Sequence, residues 1–325
     1  MELLLQFAIV GFGKAGRRLG NLLKSIPAAS ISHVIDLNMD IAQTGAQEVG
    51  ASAWGNNPSE VVRFSGIDAI VIATPNSSHD HLTQEALDFG KHVFLEAPLA
   101  LRLPDALRIE TQANQAGLVV AINFWTRASK GIQLIRGRIP RPTLIQIEAV
   151  VNPLVGVWPG EAKNGGVLAY NGSHAFDLAC YLAGSRPLYV QATGGRHTRR
   201  AALADTVAAT IGFANGSLAR VIVGEYGMSS TFSEWRVFAT DGIVSATAKD
   251  NLHTATFDLH MTEDPKPLAS VIDPHQAHLE SLLAYIQAWA GRGYPLANIA
   301  DGVRAVHVAD SVYEAIASRE RVILS

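Results

Sequence analysis

The sequence predicts an α/β protein of two parts: an N-terminal domain on a parallel sheet, then an α+β domain whose sheet is largely antiparallel and open on one face. Three observations carry this. Short apolar runs alternate with helical stretches through the first 122 residues, as expected of strands buried on both faces. A glycine-rich turn, Gly11-Phe12-Gly13-Lys14-Ala15-Gly16, stands directly behind the first run. Beyond residue 122 the runs alternate apolar and polar side chains, as a sheet with one covered face requires. At about 150 residues per domain, a chain of 325 fits two, divided as 1–122 and 123–325.

Phe7 to Val10 is the first strand, and the helix behind its glycine turn puts Leu19, Leu22 and Leu23 on one face. Further strands are expected at Ile31–Leu37, Ala69–Ala73, His92–Leu95 and Leu118–Ile122, with a helix around Pro104–Ala116. After the turn around Arg138–Pro142, Leu144–Val151 alternates. Thr206–Glu225 holds two strands around Asn215-Gly216, a hairpin signal read as two turn residues of positive φ. A second hairpin is expected at Asp241-Gly242, a further strand at Leu252–Leu259, and a mobile loop at Thr262–Pro267. Two helical patterns close the chain, Pro274–Trp289 and Asn298–Ser318, the last expected to pack back near the first domain.

Composition narrows the function. Hydrophobic residues make 48% and charged residues 17%, which excludes a disordered chain. With 26 basic against 29 acidic residues and a net charge of −3, no global positive field exists to hold nucleic acid or an anionic membrane. No apolar run reaches the roughly 18 residues of a membrane span, and Met1–Val10 reads as a strand rather than a signal peptide. The single cysteine, Cys180, fits a reducing compartment. A cytoplasmic location is therefore expected.

Gly11-x-Gly13-x-x-Gly16 has the spacing of a dinucleotide-binding fingerprint: a tight turn, room for a pyrophosphate near the backbone, and close helix-to-strand packing. The phosphates would sit on the helix N-terminus. Asp36, at the end of the second strand, stands where a carboxylate accepts ribose hydroxyls; the competing reading is a helix N-cap or turn aspartate. A carboxylate there repels a 2′-phosphate, so NAD is expected over NADP.

At Ala73-Thr-Pro-Asn-Ser-Ser-His79, Gly90-Lys-His-Val-Phe-Leu-Glu-Ala-Pro98 and Gly165-Gly166-Val-Leu-Ala-Tyr-Asn-Gly-Ser-His174-Ala-Phe-Asp177, the chain resembles the family of glucose-fructose oxidoreductase, inositol dehydrogenase and the rhizopine catabolism protein (Gfo/Idh/MocA). The resemblance runs from end to end, including the Asp301-Gly302 start of the last helix. It implies a Rossmann domain over 1–122 and a substrate-binding and oligomerisation domain over 123–325, acting on a sugar, polyol or cyclitol as a homodimer or homotetramer. It places Gly11, Phe12, Gly13, Lys14, Ala15, Gly16, Asp36, Thr74, Pro75, Asn76, His79, Glu96, Ala97 and Pro98 at the cofactor. Substrate contacts are expected from Asn123, Arg127, Trp158, Asn171 and Asp177.

The family pattern carries lysine where this chain has Ala97 and aspartate where it has Tyr170. His174 remains as the proton carrier, since imidazole titrates near neutrality, or else as a buried structural histidine. Tyr170 is a second donor at the same oxygen or a packing aromatic, Lys163 a replacement for the lost ammonium, and Asp177 a substrate contact or a structural anchor. Phe124, Trp125 and Trp158 could line a sugar pocket or fill core. His79 with His81, and His275 with His278, bring no third ligand, so no metal is expected; His275 and His278 are read as solvent-facing. The two replacements leave open a dinucleotide-binding sensor or regulatory protein, and an enzyme that uses bound NAD cyclically.

Overall fold

Leu5–Val10, apolar at all but one position, form β1 inside a six-stranded parallel sheet of order β3-β2-β1-β4-β5-β6. The computed structural model describes residues 4–150, 162–197, 203–225, 234–242, 244–250, 255–261, 267–268 and 274–325. The remaining strands are β2 (Ala29–Ile35), β3 (Ala53–Gly55), β4 (Ala69–Ile72), β5 (His92–Leu95) and β6 (Val120–Ile122). The helices between them are α1 (Lys14–Lys24), α2 (Met39–Val49), α3 (Pro58–Val61), α4 (His79–Asp88) and α5 (Leu103–Ala116). Four consecutive buried residues make β4, as a strand covered on both faces requires. The strand order reverses between β1 and β4, and in such sheets ligands bind at the carboxyl ends beside that reversal. The glycine turn after β1 and Ala73-Thr74 after β4 lie there together.

Sequence periodicity finds five of these six strands. The three-residue edge strand β3 escapes it, being too short to show a pattern. The second strand ends at Ile35, which leaves Asp36 just beyond the sheet.

Two compact units emerge from the contacts, Met1–Phe124 with His278–Val303, and Trp125–Ala277 with Arg304–Ser325. In the first, α8 (Pro274–Trp289) contributes Leu282, Tyr285 and Ile286 to a core with Phe7, Phe12, Leu19 and Phe94. Asn298 and Asp301 then cap α9 (Ile299–Ser318) reciprocally, each accepting the other's backbone N–H at 3.1 and 3.0 Å.

The second unit holds α6 (Lys130–Arg138), β7 (Leu144–Val150), α7 (Ser173–Ala183), β8 (Pro187–Gly195), β9 (Thr206–Phe213), β10 (Leu218–Gly224) and β11 (Glu234–Thr240). β12 (Val244–Asp250), β13 (Ala255–Met261), β14 (Pro267–Leu268) and β15 (Val322–Ile323) complete a nine-stranded sheet of order β14-β13-β12-β11-β7-β10-β9-β8-β15. It is antiparallel except at β7–β10, which run parallel because a long crossover separates them. On β10, Ala219, Val221 and Val223 point inward while Leu218 and Arg220 are exposed. The inward face packs on Ile132 and Ile135 of α6, Phe176 and Leu182 of α7, and Val308 and Val312 of α9.

Both expected hairpins form, with one correction. Of the pair Asn215-Gly216 only the glycine takes positive φ, at 86°, and among the described non-glycine residues Arg319 alone does so. The Gly216 N–H donates to Phe213 O at 3.0 Å and the Phe213 N–H to Ser217 O at 3.0 Å. A right-handed turn followed by one left-handed glycine closes the hairpin, so Asn215 needs no strain; its Oδ1 accepts the Ser217 N–H instead. The loop expected at Thr262–Pro267 falls, up to residue 266, outside the described residues, as does Trp158. Among the described residues no helix is long and apolar enough to cross a membrane.

Candidate functional site

The glycine turn has the shape its spacing demands. Gly11 adopts φ +87°, and a Cβ there would stand 2.6 Å from Ala73 O; one on Gly16 would stand 1.9 Å from Gly11 O. Gly13, the N-cap of α1, has φ −71°, no side-chain cap, and nothing within 4 Å of its Cβ position. The first turn of α1 carries no acidic residue. The result is an open cradle of backbone N–H groups at a helix N-terminus, which suits a pyrophosphate. Phe12 offers only its backbone: its ring is buried, so close to Gly45 that a Cβ there would lie 2.4 Å away. Lys14 is exposed and Ala15 half-buried on the open side.

Asp36 Oδ2 accepts the Phe12 N–H at 2.8 Å and Oδ1 the Asn38 N–H at 3.0 Å. The N-cap of α2 is Asn38, not Asp36. The carboxylate thus pins the glycine turn to the end of β2, and a carboxylate's remaining lone pairs can take ribose hydroxyls.

Behind β4, Thr74 is half-buried, Pro75 exposed and Asn76 buried. His79 is fully buried, with Nδ1 2.7 Å from Pro98 O and Nε2 2.9 Å from Thr74 O. Its ring is committed to backbone carbonyls, so it shapes the two loops and does not itself reach a ligand. Burial pulls its pKa down, against the Pro98 and Thr74 carbonyls and the Glu96 and Asp80 carboxylates. Glu96 Oε1 accepts from Arg18 Nη2 and from Asn123 Nδ2, each at 3.1 Å. Asn123, fully buried, also places Nδ2 3.0 Å from His278 Nδ1. Ala97 and Pro98 are buried beside them and joined by a cis peptide bond.

In the second unit the Gly165-Gly166 turn, both residues at positive φ, leads into a five-residue π-helical turn, Leu168–Gly172, and then α7. Such turns recur at functional sites. Tyr170 is half-buried against the core, and the 5%-exposed Asn171 keeps its amide nitrogen without a hydrogen-bond partner among the described residues. His174, half-buried, meets the Trp125 ring edge-on with centroids 6.4 Å apart. Lys163 is exposed in the short turn 162–164.

Arg127 and Asp177, read from sequence as substrate contacts, are committed to each other. Arg127 Nε donates to Asp177 Oδ2 at 2.8 Å and Nη2 to Oδ1 at 2.5 Å, with side chains 5% and 1% exposed. A buried charge needs such a partner, and this pair clamps the Trp125–Ala128 turn to α7. Tyr181 extends the clamp, with the Arg127 guanidinium 4.8 Å and that of Arg136 4.3 Å from its ring centroid. Sequence reasoning also missed Arg18, and it read His278 as solvent-facing where the side chain is 1% exposed. Neither carried a local signal, since each partner lies far along the chain. Among the described residues no three of His, Cys, Asp or Glu are grouped as metal ligands.

Residues 5–124 match an oxidoreductase family with an NAD-binding Rossmann fold, and residues 133–245 match the Gfo/Idh/MocA C-terminal domain. The chain belongs to the Gfo/Idh/MocA family. Among its relatives, the scyllo-inositol 2-dehydrogenase (NAD(+)) of Bacillus subtilis strain 168 is 30% identical over 202 residues, 60% of this chain and 58% of that protein. The match thus spans less than two thirds of that relative. The myo-inositol 2-dehydrogenase of Thermotoga maritima is 23% identical over 78% of this chain and 77% of its own. The crystal structure of an oxidoreductase from Agrobacterium radiobacter, in complex with NAD+, L-tartaric acid and magnesium, shares the fold with a TM-score of 0.87, 15% identity, and coverage of 99% of this chain and 98% of that one.

Proposed function

We propose that this Gfo/Idh/MocA protein is an NAD-dependent dehydrogenase or reductase for a hydroxyl-bearing or keto carbon of a sugar, polyol or cyclitol. The observation that carries the reading is the glycine cradle: two glycines where a Cβ would strike backbone, a third that faces open space, and Asp36 fastened to the same turn. Gly11, Gly13 and Gly16, with the N–H groups at Lys14 and Ala15, hold the pyrophosphate, and Asp36 takes the adenosine ribose and disfavours a 2′-phosphate. Thr74, Pro75, Asn76, Glu96, Ala97 and Pro98 form the rim, with His79 behind it. A nicotinamide cofactor supplies the redox chemistry when bound.

The protein's own share is orientation and the proton. His174 gives or takes the proton at the substrate oxygen, Tyr170 adds a hydroxyl donor, and Asn171 adds an amide. The inositol dehydrogenases among the relatives support a polyol or cyclitol. The exposed outer face of the second sheet, with Leu218 and Arg220, is the proposed homo-oligomer interface.

The deciding experiment is fluorescence titration with NADH and NADPH, followed by turnover on a polyol and keto-sugar panel. Tighter NADH binding and net NADH formation from a polyol are expected; His174→Asn should lower kcat by about 10²–10⁴ and leave NADH affinity in place. Tighter NADPH binding would overturn the Asp36 assignment. NAD binding without turnover, or product formed without net NADH, would give the function to the sensor or cyclic alternative that Ala97 and Tyr170 raise.

A further inference from the structure

We infer that His79 is a buried imidazolium, a fixed cation that laces the loop after β4 to the loop after β5. The ring is fully buried, and each nitrogen lies within hydrogen-bond distance of a backbone carbonyl oxygen, Nδ1 2.7 Å from Pro98 O and Nε2 2.9 Å from Thr74 O. A carbonyl only accepts, and a neutral imidazole has a single N–H. The neutral ring would therefore press one nitrogen lone pair against a carbonyl oxygen at a fully buried position. Turning the ring over does not help, because it sets ring carbons against the same oxygens at distances well under the roughly 3.3–3.6 Å of C–H···O contacts. Only the doubly protonated ring satisfies both oxygens.

Burial opposes the charge and on balance pulls the ring's pKa down; the imidazolium is inferred against that direction, because no neutral tautomer can donate to both carbonyl oxygens at these distances. Four groups favour the charge: the two carbonyls as charge-assisted acceptors, Asp80 on the same helix, and Glu96 from the end of β5. Arg18, paired with Glu96 at 3.1 Å, offsets part of the last. The cation stands one residue from Ala97, in a loop whose own side chain there carries no charge. His79 is thus a positioning residue: it joins Thr74 to Pro98, the rim proposed to hold the cofactor, and keeps a positive charge beneath it. The charge stands on the two distances alone; only its bearing on cofactor binding rests on the proposed function.

Neutron diffraction from crystals of the whole protein at about pH 8, some 1.5 units above the ordinary imidazole value, reads the ring directly and needs no variant. Density for deuterium on both Nδ1 and Nε2 is expected; deuterium on one alone would overturn the inference. In solution, ¹⁵N-histidine spectra of the wild type should show one of the 11 histidines keeping the doubly protonated pattern up to that pH, a signature lost in His79→Gln. All 11 in neutral tautomers at pH 8 would refute it. NADH titration separates the two readings: a doubly protonated His79 in a protein that does not bind NADH leaves this inference standing and removes the proposed function, whereas a singly protonated ring in a protein that binds NADH does the reverse.

Discussion

Gly13→Ala separates the glycine turn as a phosphate seat from the glycine turn as mere packing. The backbone at Gly13 has φ −71°, open to any L residue, and the added methyl meets nothing within 4 Å. Folding should barely register the change: the gain from a stiffer unfolded chain and the loss of a glycine N-cap are each under about 1 kcal/mol, so Tm should stay within roughly 4 °C. Binding should register it strongly, because the methyl occupies the space a pyrophosphate needs to reach the backbone. One charge-assisted hydrogen bond is worth about 1.5–3 kcal/mol and the helix terminus about 0.3–1. Their joint loss, about 2–4 kcal/mol, weakens NADH roughly 30- to 1000-fold. Gly16→Ala is the contrasting variant. Its Cβ would lie 1.9 Å from Gly11 O, where ordinary contact begins at 3.4 Å, so backbone must move by about 1.5 Å and thermal stability should fall. Calorimetric NADH titration beside a thermal melt checks both. Wild-type NADH affinity in a stable Gly13→Ala protein would refute the phosphate seat.

Three further outcomes follow from the structure. Arg127→Met strands Asp177 in the core and should cost about 3–5 kcal/mol in urea unfolding, with much of it restored by adding Asp177→Leu; a loss under about 1 kcal/mol would show that the pair is not closed. Arg319→Gly relieves the one non-glycine residue at positive φ, 61°, among the described residues, and should raise stability by about 0.5–1 kcal/mol; an unchanged urea midpoint would show no strain there. Burial lowers the pKa of His33, His92 and His307, so below about pH 6.5 the unfolded chain takes up protons that the folded rings resist. Stability should therefore fall as pH drops from about 6.5 to 5, and His92→Gln should flatten that slope, since its Nδ1 accepts the Val119 N–H only while unprotonated. A midpoint that rises on acidification would reverse the sign and the reasoning.

What the sequence discloses depends on how far apart the deciding partners are. Gly11, Gly13 and Gly16 work within one turn, so spacing alone exposes them. Asp36 sits between: its place after the second strand is legible, but its bonds to Phe12, 24 residues away, and to Asn38 decide that it braces the glycine turn and does not cap a helix. Arg127 with Asp177 lies further out, 50 residues apart, and Asn123 with His278 is 155 apart. For these the sequence shows polar side chains near a motif and no more. Whether such a residue faces a ligand or neutralises another is settled by burial, because a charge removed from water must be paired wherever the chain supplies a partner. His79 extends the same point to a group whose motif is legible. Its neighbourhood in the sequence suggests contact with the cofactor, while its depth and its two carbonyl partners assign it to holding together the loops proposed to make that contact.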